Sequence, residues 1–235
     1  MYGVYDMCTE MSSQVHTGTL NLPGRNCVLF DFDGTLVDTG RGIMQSLRRA
    51  LERNGIDPGG DMRRFVGPPV RDALQMFFGL DLAEAERIKD EYRAIYAADG
   101  LYDCVPYPGA LDCVKALHAA GKKTAVATSK PTRFARILLE KFGFLPFFDA
   151  VCGAESDAHA GKAEIVRRAL DALGAKPEEA VMVGDRKYDV LGAAACGVPC
   201  IGFAGGYEER GEFSAAGAAA EVSDHAALRA LLLGK

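Results

Sequence analysis

The sequence predicts an α/β fold: a doubly wound parallel sheet into which a small all-helical domain is inserted. Two observations carry that expectation. From residue 106 onward, short apolar runs alternate with helical patterns. That order yields a parallel sheet with helices on both faces. The stretch from about 40 to 105 shows helical periodicity and turns but no strand pattern. It interrupts the alternation after the first strand and so reads as a separate cap. The expected limits are 27–38 and 106–235 for the sheet domain and 39–105 for the helical cap.

Residues 1–26 lack the apolar stretch of a secretion signal and hold Ser12-Ser13, Gly18, Pro23 and Gly24. They read as a flexible extension. Cys27 to Phe32 is a near-continuous apolar run, the pattern of a strand buried on both faces. A helix follows from Arg41 to Arg53, with Ile43, Leu47, Ala50 and Leu51 in its stripe and Asn54-Gly55 as its stop. Phe65-Val66-Gly67-Pro68-Pro69 is a turn. Helices are expected over Val70 to Phe78 and over Ala83 to Ala98, the latter with Ile88, Tyr92, Ile95 and Tyr96 on one side. The linkers near Asp38-Gly40 and Val105-Pro108 are the expected hinges of the cap.

Beyond Pro106 the pattern predicts a helix over Ala110 to Ala120 and a strand over Thr124 to Thr128. A helix over Arg133 to Phe142 and a strand over Ala150 to Cys152 come next. Then follow a helix over Lys162 to Leu173, a strand over Ala180 to Gly184, a helix over Tyr188 to Cys196 and a strand over Pro199 to Phe203. A weak strand near Glu221-Val222 and a helix over His225 to Leu233 close the series.

Bulk properties narrow the function. The chain has 235 residues, 49% of them hydrophobic, enough for one sizeable core and a smaller one. Its net charge is -5, without the basic footprint of a protein that binds nucleic-acid polymers. Seven cysteines form no CxxC pair, which points to a reduced, cytoplasmic setting and away from structural zinc. No stretch is long enough to span a membrane. The four histidines show no metal spacing.

In open parallel sheets, ligands bind beyond the carboxyl ends of the strands. Those ends carry Asp31 and Asp33, then Thr128, Ser129 and Lys130, then Asp185 with Asp189 one helical turn on, while Lys162 opens a helix. Carboxylates gathered at one point repel unless their pKa values rise or a hard cation neutralises them. Carboxylate oxygens suit Mg²⁺. Lys162 and Thr128 add an ammonium and a hydroxyl for phosphoryl oxygens. Asp31 is then available as a nucleophile, and Asp33 as general acid and base.

These residues carry a resemblance. Asp31-Phe32-Asp33-Gly34-Thr35-Leu36-Val37-Asp38, Ala125-Val126-Ala127-Thr128-Ser129, Lys162 and Gly184-Asp185-Arg186-Lys187-Tyr188-Asp189 resemble the four ordered motifs of the haloacid dehalogenase-like hydrolase superfamily. The match covers roughly 27 to 235. Within that superfamily the chain is similar to the phosphoglycolate phosphatase and 5'-nucleotidase group with a helical cap.

The resemblance implies a Mg²⁺-dependent phosphatase acting on a small phosphorylated metabolite, phosphoglycolate or a nucleoside 5'-monophosphate, through an aspartyl phosphate. It implies Mg²⁺ held by Asp31, the Asp33 carbonyl and Asp185, with the phosphoryl group held by Thr128 and Lys162. Asp189 is a candidate metal ligand or an orienting group for Lys162. Ser129, Lys130, Arg64 and Arg71 are candidate substrate contacts. Lys89, between Ile88 and Asp90, reads as part of a solvated helix face. Tyr92, Tyr96 and Phe77 read as cap core. A phosphotransferase such as a sugar phosphomutase shares these motifs. A non-catalytic binding protein on the fold is disfavoured, because every expected catalytic residue is present. The sequence carries no sign of oligomeric state.

Overall fold

The computed structural model describes residues 22, 24–154 and 161–234. The extension expected over 1–26 lies mostly outside the described residues. Its described end is packed: Leu22 is buried, Arg25 donates to the carbonyls of Pro177 and Ala180 at 3.0 and 2.7 Å, and Lys122 donates to the Arg25 carbonyl.

The central strand is β1, Cys27–Phe30. It is shorter than the apolar run, although the Asp31 amide still donates to the Val183 carbonyl at 2.8 Å. Beyond β1 come a two-residue strand β2 (Val37–Asp38) and helices α1 (Gly40–Arg53), α2 (Val70–Phe78) and α3 (Leu82–Ile95). Helix α3 begins where Asp81 and Glu84 cap each other's backbone amides, the reciprocal arrangement that satisfies two orphan donors. It runs on as one π turn over Tyr96–Gly100. A further two-residue strand, β3 (Val105–Pro106), pairs antiparallel with β2. No strand was expected between 56 and 105. The pair escapes a period-two pattern because two residues cannot display one. It ties both linkers of the insert into one ribbon.

The rest of the chain supplies α4 (Ala110–Ala119), β4 (Lys123–Pro131), α5 (Thr132–Lys141), β5 (Ala150–Ala154), α6 (Lys162–Leu173), β6 (Ala180–Gly184), α7 (Lys187–Ala194), β7 (Cys200–Phe203), α8 (Glu212–Ala216), β8 (Ala220–Val222) and α9 (His225–Leu233). Among the described residues, six strands form one parallel sheet in the order β5-β4-β1-β6-β7-β8. Two expectations shift. β4 continues to Pro131 instead of stopping at Thr128, with a break in its register against β5 between Ala127 and Pro131. The short helix α8 (Glu212–Ala216) was not among the expected elements.

The sheet's two faces follow from strand alternation. Val28 and Phe30 pack with residues of α4, α5, α9 and the helical insert. Cys27 and Leu29 pack with α6, α7 and Phe213 of α8. The chain leaves β1 for β4 on one side and later crosses to β6 on the other, so the sheet reverses its winding at β1. That switch point is where open α/β sheets bind ligands.

Candidate functional site

The register places the functional side chains. Phe30 of β1 lies between Val126 of β4 and Val183 of β6. Asp31 and Asp33 therefore emerge just beyond β1 and Asp185 just beyond β6, while Thr128 stands two residues past Val126 within β4, at the same edge. Lys162, the first residue of α6, reaches the same point. Its ammonium lies 2.8 Å from Asp31 Oδ1 and 2.6 Å from Asp189 Oδ1. Asp31, Thr128, Lys130, Asp185 and Asp189 are buried, and Asp33 is only 9% exposed.

Local backbone holds this group together. Asp185 Oδ2 accepts from the Tyr207 amide at 2.8 Å, and Thr35 Oγ1 donates to its Oδ1 at 3.5 Å. Asp189 Oδ2 accepts from the Arg186 amide at 3.0 Å, so the first turn of α7 is capped by one of the clustered carboxylates. Gly34 has φ +81°, and a Cβ there would overlap the Asp185 carboxylate. Gly34→Ala is therefore expected to cost about 1–3 kcal/mol from strain alone. It should also weaken Mg²⁺ binding, read by thermal melting and calorimetric titration. An unchanged melt and titration would show that the loop relaxes without cost.

Electrostatics mark the site as unusual. Burial pushes the Asp31 carboxyl up to about 6; Lys162 opposes this, and Asp189 and Asp33 add to it. Burial also lifts Asp185 well above the usual carboxylate range, with Asp189 and Asp31 repelling it further and the Tyr207 amide and Arg186 opposing. Burial disfavours the Lys162 ammonium, but Asp189 and Asp31 outweigh that and raise it above the ordinary lysine range. Buried like charges that shift one another in this way are a mark of functional sites.

Oxygens of Asp31, Asp185 and Asp189 lie within 4.8 Å of one another. An all-carboxylate donor set that is desolvated and mutually repelling fits a hard divalent cation. Those three side chains could hold Mg²⁺.

Asp33 stands slightly apart. Its Oδ1 accepts from Thr39 Oγ1 at 2.6 Å and from Lys130 Nζ at 2.8 Å, and Lys130 also donates to the Tyr96 hydroxyl at 2.8 Å. The long β4 delivers Lys130 to this position, and the Lys130 amide donates to Thr128 Oγ1 at 3.2 Å.

Beyond Asp33 opens a cavity of about 390 Å³ between the sheet and the helical insert. Asp33, Ser129 and Lys130 line the sheet side, and Phe65, Arg71, Glu86, Lys89, Tyr92 and Tyr96 line the other. One expectation needs correction here. Lys89 is not on a solvated face: it is 5% exposed, faces the cavity and is paired with Glu86 and Asp90. Its position on the buried face of α3 decides this, and the acidic neighbours in sequence disguised it. Tyr92 and Tyr96 are buried as expected, but both also face the cavity.

The candidate substrate contacts divide. Ser129, Lys130 and Arg71 line the cavity, with Arg71 paired to Asp72 and Glu86. Arg64 is not among the lining residues; its guanidinium lies over the rings of Phe77 and Phe65, 4.4 and 5.2 Å from their centroids. Sequence reasoning missed Thr39, Arg186 and Tyr207. Arg186 sits inside the fourth motif and was visible there. Tyr207 joins the site through its backbone amide, which leaves no residue-type signal.

A parallel α/β sheet with a carboxylate cluster and a lysine at its switch point defines a class of hydrolases and group transferases. Residues 28–203 match the family model described as haloacid dehalogenase-like hydrolase, and the chain belongs to that family. It is 39% identical over 209 residues to a 5'-nucleotidase of Pseudomonas aeruginosa, covering 87% of this chain and 94% of that protein. It is 34% identical over 190 residues to a phosphoglycolate phosphatase of Caulobacter vibrioides, covering 77% and 80%. It is also 41% identical over 183 residues to the tyrosine-protein kinase PtkA of Mycobacterium tuberculosis, covering 77% of this chain and 62% of that one. A crystal structure described as a predicted phosphatase from Clostridium acetobutylicum superposes with a TM-score of 0.86 at 34% identity, covering 90% and 99%.

Proposed function

We propose that this chain is a phosphoric monoester hydrolase that cleaves small phosphomonoesters through an aspartyl phosphate on Asp31. The buried juxtaposition of Asp31 with Lys162, Asp185 and Asp189 carries the reading. Asp31 attacks phosphorus, the ester P–O bond breaks, and Asp33 gives a proton to the departing alkoxide. Asp33 then takes a proton from the water that attacks the aspartyl phosphate, releasing phosphate and restoring Asp31. Lys162 and Thr128 hold the phosphoryl oxygens. Asp189, with its Oδ1 2.6 Å from the Lys162 ammonium and its Oδ2 accepting from the Arg186 amide, orients Lys162. Asp31, Asp185 and the Asp33 carbonyl would hold Mg²⁺, which supplies charge neutralisation for the phosphoryl group. Residues 39–105 act as the cap over the site, with β2 and β3 as its paired hinges.

The cavity favours one of the two expected substrate types. Its volume is at the lower end of the roughly 300–1,000 Å³ typical of small-molecule sites. A two-carbon glycolate group would leave most of it empty. Its walls combine rings of Tyr92, Tyr96 and Phe134 with paired charges of Arg71, Glu86 and Lys89, a surface suited to a leaving group with a flat face and several hydroxyls. Nucleoside 5'-monophosphates meet that description. Phosphate release with Mg²⁺ from a panel of nucleotides, sugar phosphates and phosphoglycolate tests this. At least tenfold higher kcat/KM for the nucleotides is expected, and preference for phosphoglycolate would reject the assignment.

The likeness to PtkA favours keeping a second reading, transfer of the phosphoryl group to an acceptor other than water. Labelled phosphate appearing on an added acceptor instead of in solution would establish it.

A further inference from the structure

We propose that Arg186 and Arg63 form a reciprocal clasp that docks the cap on the sheet domain and couples that docking to the position of Asp185. Each arginine belongs to a different side of the interface, and each donates to a backbone carbonyl of the other side. Arg186, from the sheet domain, is 2% exposed. Its Nε is fixed by Glu212 Oε1 at 3.0 Å, and the Lys187 amide donates to the same oxygen at 3.1 Å. With its stem held, its Nη1 donates to the Val66 carbonyl of the cap at 2.6 Å. Arg63, from the cap, donates in return through Nη2 to the Gly206 carbonyl at 3.2 Å and lies 5.5 Å from the centre of the Tyr207 ring.

Both halves of the clasp lead to one carboxylate. Arg186 follows Asp185 directly in the chain. Tyr207, beside the carbonyl that Arg63 grips, gives its amide to Asp185 Oδ2 at 2.8 Å, while its hydroxyl bonds Asp38 in the hinge strand β2. The approach is fitted closely. Gly67 has φ +108°, and a Cβ there would stand 2.7 Å from Arg186 Cγ. Only glycine gives the cap turn that backbone angle and that clearance at once. Arg186 and Arg63 are positioning residues, acting through the Asp185 loop and not on substrate.

Hydrogen exchange with Arg63→Met and Arg186→Met tests the clasp without any substrate. Losing a hydrogen bond from a charged donor shifts a docking equilibrium by roughly 10- to 100-fold. The amides of residues 65 and 66 should therefore exchange about tenfold faster in each variant, while those of β1, β4 and β6 keep their protection. Mg²⁺ affinity by calorimetry should fall at least about threefold in both, and KM should rise more than kcat falls. Arg63 is exposed, so Arg63→Met decides the matter even if Arg186→Met fails to fold. Exchange at the wild-type rate, or acceleration spread equally over the sheet, overturns the clasp. Local acceleration with unchanged Mg²⁺ affinity overturns the coupling to Asp185. Absence of phosphatase activity in the parent protein would sink the functional reading and leave this test intact.

Discussion

Asp31→Asn is expected to lower phosphate release by roughly 10⁴-fold or more, the scale seen when a nucleophile is removed from a cooperative catalytic group. Stability should move the other way. Burial pushes Asp31 up to about 6 in the folded chain, against 3.8 as its ordinary value. A carboxyl raised in the folded state contributes stability that is complete below pH 4 and is lost as pH rises through about 6. Ionising it therefore costs about 3 kcal/mol by neutral pH. Asparagine keeps the shape and removes that charge, while Lys162 retains Asp189 at 2.6 Å. Without divalent cations at pH 7.5, the variant should melt at or above the parent temperature. Loss of activity with retained or increased stability is what a group selected for chemistry at the expense of folding should show. Residual activity above about 1% would remove Asp31 from the nucleophile's place.

The sheet was legible in the sequence because burial on both faces leaves a simple trace. Cys27 to Phe30 and Ala180 to Gly184 are apolar throughout, and each run stops at an aspartate. The carboxylates were legible for the same reason, since a charge at the end of a buried strand has few structural explanations. The side of the cavity formed by the helical insert was harder to read. Lys89 lies among acidic neighbours in sequence, yet on α3 it shares a face with Ala85, Ile88 and Tyr92, which are buried. A helix face is set by packing against α1 and α2, and a weakly amphipathic sequence does not choose it. Arg186 was quoted within a motif, but its long reach to Val66, 120 positions away, depends on how the insert sits on the sheet. The Tyr207 amide that binds Asp185 and the β2–β3 ribbon act through backbone groups, which every residue possesses.

Lys162→Met should produce a large loss of stability. The substitution keeps the stem that packs over Gly192, where a Cβ would stand 2.7 Å from Lys162 Cβ. It removes the ammonium that lies between Asp31 and Asp189. Deleting one partner of a buried ion pair leaves an uncompensated charge and costs about 3–5 kcal/mol. The loss depends on pH. Lys162 lowers the Asp31 carboxyl, so without it the folded value rises further above the unfolded one. The carboxyl stays protonated and harmless near pH 4, and stability falls as pH rises through 6 and beyond. The melting difference between parent and variant should therefore be smaller near pH 4.5, where only the Asp189 pair is lost, and grow by several degrees by pH 8. Added Mg²⁺ should close much of that gap at pH 8, because carboxylates that repel one another bind a divalent cation more readily once ionised. It should not restore turnover, which is expected to stay about 10²–10³-fold down for want of the fixed donor to the phosphoryl oxygens. A flat melting difference between pH 4.5 and 8, or turnover within tenfold of the parent, would place Lys162 outside the charge balance of the site.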